Sequence, residues 1–208
     1  MEFPSYTARE SAVDGMLHGL GLVAGIAGIL WLLGSRAGRV GPADFVALLV
    51  YAGGLAGMLA ASAAYNLSAP GPRKEMLRRL DHAQIFVMIA GTYTPFAVKG
   101  LGSGPGAPFW SVWGAAAAGA FLKLAFPRRF ERVGLVLYLG LGWAILAMAR
   151  PLWTSFPPGI LALLVLGGAL YTLGAIFHLL ERLPFHNAAW HGLVLAAAAC
   201  HFAAVATL

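Results

Sequence analysis

Six histidines carry most of the chemistry this sequence can offer: His18, His82, His178, His186, His191 and His201. Imidazole ligates zinc and moves protons near neutral pH. Asp81 stands directly before His82, and Ser62, Tyr65 and Asn66 close the preceding apolar run. Each histidine taken alone reads as an interfacial or core residue paired with a carbonyl. Taken together they read better as a functional cluster, provided the elements that carry them meet. A catalytic zinc uses about three protein ligands plus a water, so the cluster has ligands enough for one.

The elements that position these residues follow from composition. Of the 208 residues 60% are hydrophobic and only 11% charged. A soluble domain carries roughly a quarter charged residues, so this chain cannot build a water-facing surface. A bilayer accepts an apolar exterior, and a spanning helix needs about 20 mostly apolar residues. Seven runs qualify, at 16–34, 43–65, 80–98, 107–126, 133–150, 158–180 and 187–207. The fold class expected is all-α, a seven-helix polytopic bundle forming one membrane domain over 1–208. A β-barrel would show short alternating segments instead. Runs of small residues such as GGLAGMLAASAA and GAAAAGA let helix backbones approach closely in lipid.

The net charge is +6, yet the basic residues lie in short gaps between apolar runs, which argues for topology signals and against nucleic acid. One side of the membrane receives Arg9, Arg73, Lys74, Arg78, Arg79, Lys123, Arg128, Arg129, Arg132 and Arg182. The other receives Arg36, Arg39, Lys99 and Arg150. The positive-inside rule puts the richer side, with the N-terminus, in the cytoplasm of a cell whose plasma membrane holds the chain. The polar N-terminus shows no cleavable signal peptide, so the first run is expected to remain. A lone Cys200 excludes an internal disulfide. In this orientation five histidines and Asp81 lie towards the cytoplasmic side. His201 lies deeper, about 15 Å beyond His191 along its helix.

In the third run Pro95 removes a backbone donor and predicts a kink near Gly91, with Thr92 and Thr94 supplying hydroxyls to the disturbed backbone. That run, RLDHAQIFVMIAGTYTPF, closely resembles the third-helix signature of the hemolysin III proteins, the bacterial branch of the progestin and adiponectin receptor family. SAAYN resembles the family's second-helix Ser-x-x-x-His, and NAAWHGLVLAAAACHF its seventh-helix His-x-x-x-His. The resemblance spans essentially the whole chain. It implies a seven-helix bundle with zinc held near the cytoplasmic face by three histidines, and with Ser62 and Asp81 beside the metal-bound water. Receptor members are connected with ceramide hydrolysis, which makes a ceramide-like lipid the implied substrate and membrane lipids the implied partners.

Two expected ligands are changed. Asn66 stands at the second-helix histidine and Asn187 at the first of the seventh-helix pair, so only His191 is retained. His186 is five residues from His191 and points about 140° away on a regular helix. It joins a site only if the helix begins after it or bulges. Three outcomes remain open. The metal is lost and a hydrogen-bonded polar core persists; or the site is rebuilt from His191, Asp81 and some of His18, His82 and His186; or oxygen ligands take a harder cation. The functions that follow are a zinc-dependent lipid amide hydrolase, a non-enzymatic lipid-binding or membrane-sensing protein, and a pore-forming, cytolytic one. No ring of charges lines an obvious channel, and no inverted repeat points to a transporter.

Overall fold

In the computed structural model, residues 4–100, 106–126, 128–129, 131–147 and 154–208 are described. They contain seven long helices and no strand: α1 Ala8–Arg36, α2 Pro42–Asn66, α3 Pro72–Gly100, α4 Ala107–Ala125, α5 Glu131–Ala147, α6 Pro158–Leu179 and α7 His186–Ala206. The segment 101–105 and the boundary charge Arg150 lie outside the described residues. Four helices, α1, α2, α6 and α7, are each long and apolar enough to cross a membrane. The chain is an all-α polytopic membrane protein.

Helix ends are set by local chemistry. Thr7 accepts a hydrogen bond from the Glu10 amide while Glu10 reaches back to the Thr7 amide, a capping box that starts α1 eight residues before the apolar run. Proline at the first or second position opens α2, α4 and α6. α3 starts at Pro72, well before its apolar run at 80, and the Glu75–Arg78 pair supports the added turn. It continues unbroken through Pro95, where Thr92 and Thr94 donate to the Met88 and Ala90 carbonyls.

α3 is the central element, touching α2, α4, α5 and α7, and α7 returns to lie against α1 and α6. Small residues permit the closest approaches: a Cβ on Gly91 would sit 3.4 Å from the Val50 carbonyl of α2. The core is built on Leu32, Tyr51, Phe86, Phe96 and Val205. The outside is the reverse of a soluble protein: Met16, Leu20, Val23 and Leu30 of α1 are exposed at 63–71%. Such a stripe belongs against lipid tails.

Candidate functional site

The starts of α1, α3 and α7 lie at one end of the bundle, here called the N-face. Asp14 and His18 are four residues apart, hence on one side of α1. That side meets α7 at His191. The His191 Nδ1 lies 2.5 Å from Asp14 Oδ1, and His18 Nε2 lies 3.5 Å from Asp14 Oδ2. The two imidazole rings are 4.5 Å apart. One ligand atom from each residue falls within 4.8 Å of the others, and all three residues are buried. Asn187, one turn before His191, donates its amide to Asp14 Oδ2 at 3.2 Å and so fixes the carboxylate.

This donor set fits a zinc ion. Two imidazoles and one carboxylate leave a fourth position for water, as in hydrolytic zinc sites. His18 Nε2 supports the fit, being buried with no hydrogen-bond partner. An unsatisfied buried polar atom aimed at a carboxylate and a second imidazole is what a ligand awaiting an ion presents. Asp14, His18 and His191 thus form a group able to hold a metal.

The triad edges a cavity of about 340 Å³, lined by Asp14 and His191 together with Tyr65, Asn66, Lys74, Asp81, His82 and Asn187. Asn66 donates to the Ser62 carbonyl at 3.0 Å, and Asp81 stands on the wall of the same cavity. The His82 carbonyl accepts from Tyr138. Lys74 lies over the Tyr65 ring at 5.3 Å and donates to the Asn66 and Ser68 carbonyls. Residues singled out on α2, α3 and α7 therefore gather around one space, and Asp14 joins them from α1. His186 does not join them. α7 begins at His186, after Phe185 in the left-handed region at φ 58°, and the ring faces Tyr6 at 5.8 Å. His201 lies deeper, on the Leu164 carbonyl.

Sequence reasoning missed Asp14. Its spacing of four to His18 was the available signal, but the first apolar run was started at 16 and left Asp14 in the polar tail.

Comparison with known proteins fixes the lineage. Residues 6–202 match the model of the family described as "Haemolysin-III related". The chain belongs to this family. Its haemolysin III-related relatives include the hemolysin-3 homolog of Bacillus subtilis (strain 168), 31% identical over 95% of this chain and 93% of that protein. Hemolysin-3 of Bacillus cereus is 34% identical over 93% of this chain and 89% of its own length. The human monocyte to macrophage differentiation factor is 27% identical over 75% and 67% respectively. Sequence similarity to this chain thus reaches from bacterial proteins to an animal one.

Proposed function

We propose that this haemolysin III-related protein is a zinc-dependent hydrolase of a lipid amide, with the ion held by Asp14, His18 and His191. One observation carries the reading. The triad borders a polar cavity that adjoins an apolar one: Ile85, Leu135, Tyr138 and Trp190 line both. A polar headgroup and an apolar chain match two such adjoining spaces. Bound zinc would supply a water with its pKa brought down to about 7 and a Lewis acid for the carbonyl.

The chain's own groups supply the rest. Asn187 holds the Asp14 carboxylate in place, the role of an outer-shell partner. Asp81, on the wall of the same cavity, is the carboxylate that would accept a proton from the attacking water and return it to the leaving amine. The N-face is read as cytoplasmic from its excess of basic residues, with the C-terminus outside. A reporter fused after Leu208 that proves cytoplasmic overturns that orientation.

Metal analysis of the purified protein tests the reading, with about one zinc per chain expected. His191→Ala should abolish both the metal and hydrolysis of a ceramide-like amide. A metal-free wild-type protein without turnover would favour a lipid-binding role instead. That second reading has its own support: the 2.5 Å contact from His191 to Asp14 is a complete hydrogen bond without an ion.

A further inference from the structure

The apolar cavity ends in polar groups that the proposed chemistry does not use. It runs between α3, α5, α6 and α7 and holds about 100 Å³, several times what one water needs. Met88, Ile89, Leu139 and Leu164 make its walls apolar. Most polar side chains along it are satisfied by the protein. Thr92 donates to the Met88 carbonyl, Tyr93 to Leu141, Tyr138 to His82, and Trp143 to Thr172.

Two at the far end are not. His201 approaches the Leu164 carbonyl with Nε2 at 3.2 Å. A carbonyl only accepts, so Nε2 carries the hydrogen and Nδ1 is left as a bare acceptor in the neutral ring. No described residue donates to Nδ1. The Tyr171 ring is 5.5 Å from His201, and its hydroxyl also has no partner among the described residues. Both residues line the cavity. Unmatched polar groups at membrane depth are costly, and their presence marks a place where something polar is received.

We propose that Tyr171 and His201 form a second polar subsite that binds a hydroxyl carried on the distal part of a lipid chain, whose headgroup occupies the N-face cavity. The pair offers one donor, the tyrosine hydroxyl, and one bare acceptor, Nδ1. A hydroxyl answers both, since its oxygen accepts and its hydrogen donates. An ionised carboxylate or a ketone only accepts and leaves Nδ1 unmatched. A methyl terminus leaves both unmatched. His201 lies ten residues beyond His191, so the two polar subsites are separated by about 15 Å along α7. The subsite stands independently of whether the N-face triad holds zinc.

Equilibrium binding of three probes to the purified full-length chain in lipid nanodiscs provides the test: lauric acid, ω-hydroxylauric acid and dodecanedioic acid. The hydroxy acid should bind about tenfold more tightly than lauric acid, the worth of one well-made hydrogen bond to an otherwise unmatched buried group. The diacid should gain nothing over lauric acid. Tyr171→Phe keeps the ring and removes only the hydroxyl, and should erase the preference while leaving the affinity for lauric acid unchanged. Its thermal unfolding in detergent should match the wild type. Equal affinity for lauric and hydroxylauric acid in the wild type overturns the proposal, as does a preference that survives Tyr171→Phe. No binding of any probe, or a diacid as tight as the hydroxy acid, overturns it as well.

Discussion

Helices α1 and α7 touch at both ends of the bundle, and their polar residues are used in opposite ways. At the N-face, Asp14, His18 and His191 converge beside a cavity of about 340 Å³, and His18 Nε2 is left unsatisfied. At the opposite face, Arg36 of α1 donates to the Ala206 carbonyl at 2.5 Å, and Lys99 of α3 donates to the Leu208 carbonyl. The nearby cavity, bordered by Arg36, Asp44 and Lys99, is only about 20 Å³. Between these ends Phe202 of α7 lies over Gly28 of α1. Cations on carbonyls at a helix C-terminus satisfy groups the helix leaves open and complement its dipole. One end therefore completes the fold, whereas the other keeps coordinating capacity in reserve, which points to a ligand.

The contrast breaks most directly in activity. Asp14→Ala should lower bound metal to a small fraction of one per chain and slow amide hydrolysis about 10²–10⁴-fold, the range for loss of a positioned catalytic group. Arg36→Ala should leave both unchanged. Equal loss of metal in Arg36→Ala would erase the distinction between the two ends.

Stability should show the reverse order. Arg36→Ala leaves the α7 carbonyl without its donor and should cost about 1 kcal/mol, seen as a lower midpoint in thermal unfolding. His18→Leu removes a buried nitrogen that makes no hydrogen bond and should leave the metal-free midpoint unchanged or raise it, while abolishing metal binding. A marked fall in the metal-free His18→Leu midpoint would mean that His18 is structural. A further stability test concerns packing at the distal subsite. A Cβ on Gly167 would lie 2.4 Å from the His201 ring, so Gly167→Ala should displace that ring and cost about 1–3 kcal/mol without altering the triad's metal content.

Much of this was legible in the sequence. Long apolar runs separated by proline and arginine specify seven helices, because lipid leaves no alternative for the backbone. The grouping of His18, Asn66, Asp81, His82 and His191 towards one face of the bundle followed from their depth in those runs. The misplacing of Asp14 shows where such reading stops. Its burial comes from α7 lying against α1, a contact between the first and last helices that no local pattern encodes. A helix start drawn from hydropathy also excluded it, although Thr7 and Glu10 mark the true start by capping chemistry. His186 stood among the candidate ligands, and its angle of about 140° from His191 on a regular helix was the argument against it. The distal subsite was not, since which polar groups remain unmatched depends on the partners that Thr92, Tyr93 and Trp143 find across the bundle.

The mildest test concerns the charged shell of the N-face. Glu75, near the start of α3, is buried and contacts Arg78 at 3.2 Å and Arg128 at 2.8 Å. Burial acts to raise its carboxyl, but hydrogen bonds from Arg128 and Arg78 outweigh it and hold the group below the ordinary carboxylate value. A carboxylate lowered on folding stabilises the folded state above its unfolded pKa, and that contribution disappears as pH falls through the folded value. Thermal unfolding midpoints should therefore decline as pH drops from about 5 towards 3. Because Arg128 is half exposed, with 41% of its side chain accessible, the share owed to this pair is under about 1 kcal/mol. Glu75→Gln should flatten the acid limb by that amount and leave zinc content at neutral pH untouched. An unchanged acid limb in Glu75→Gln would show that these arginines merely neighbour the carboxylate, and that the N-face derives its order from the triad and its cavity walls.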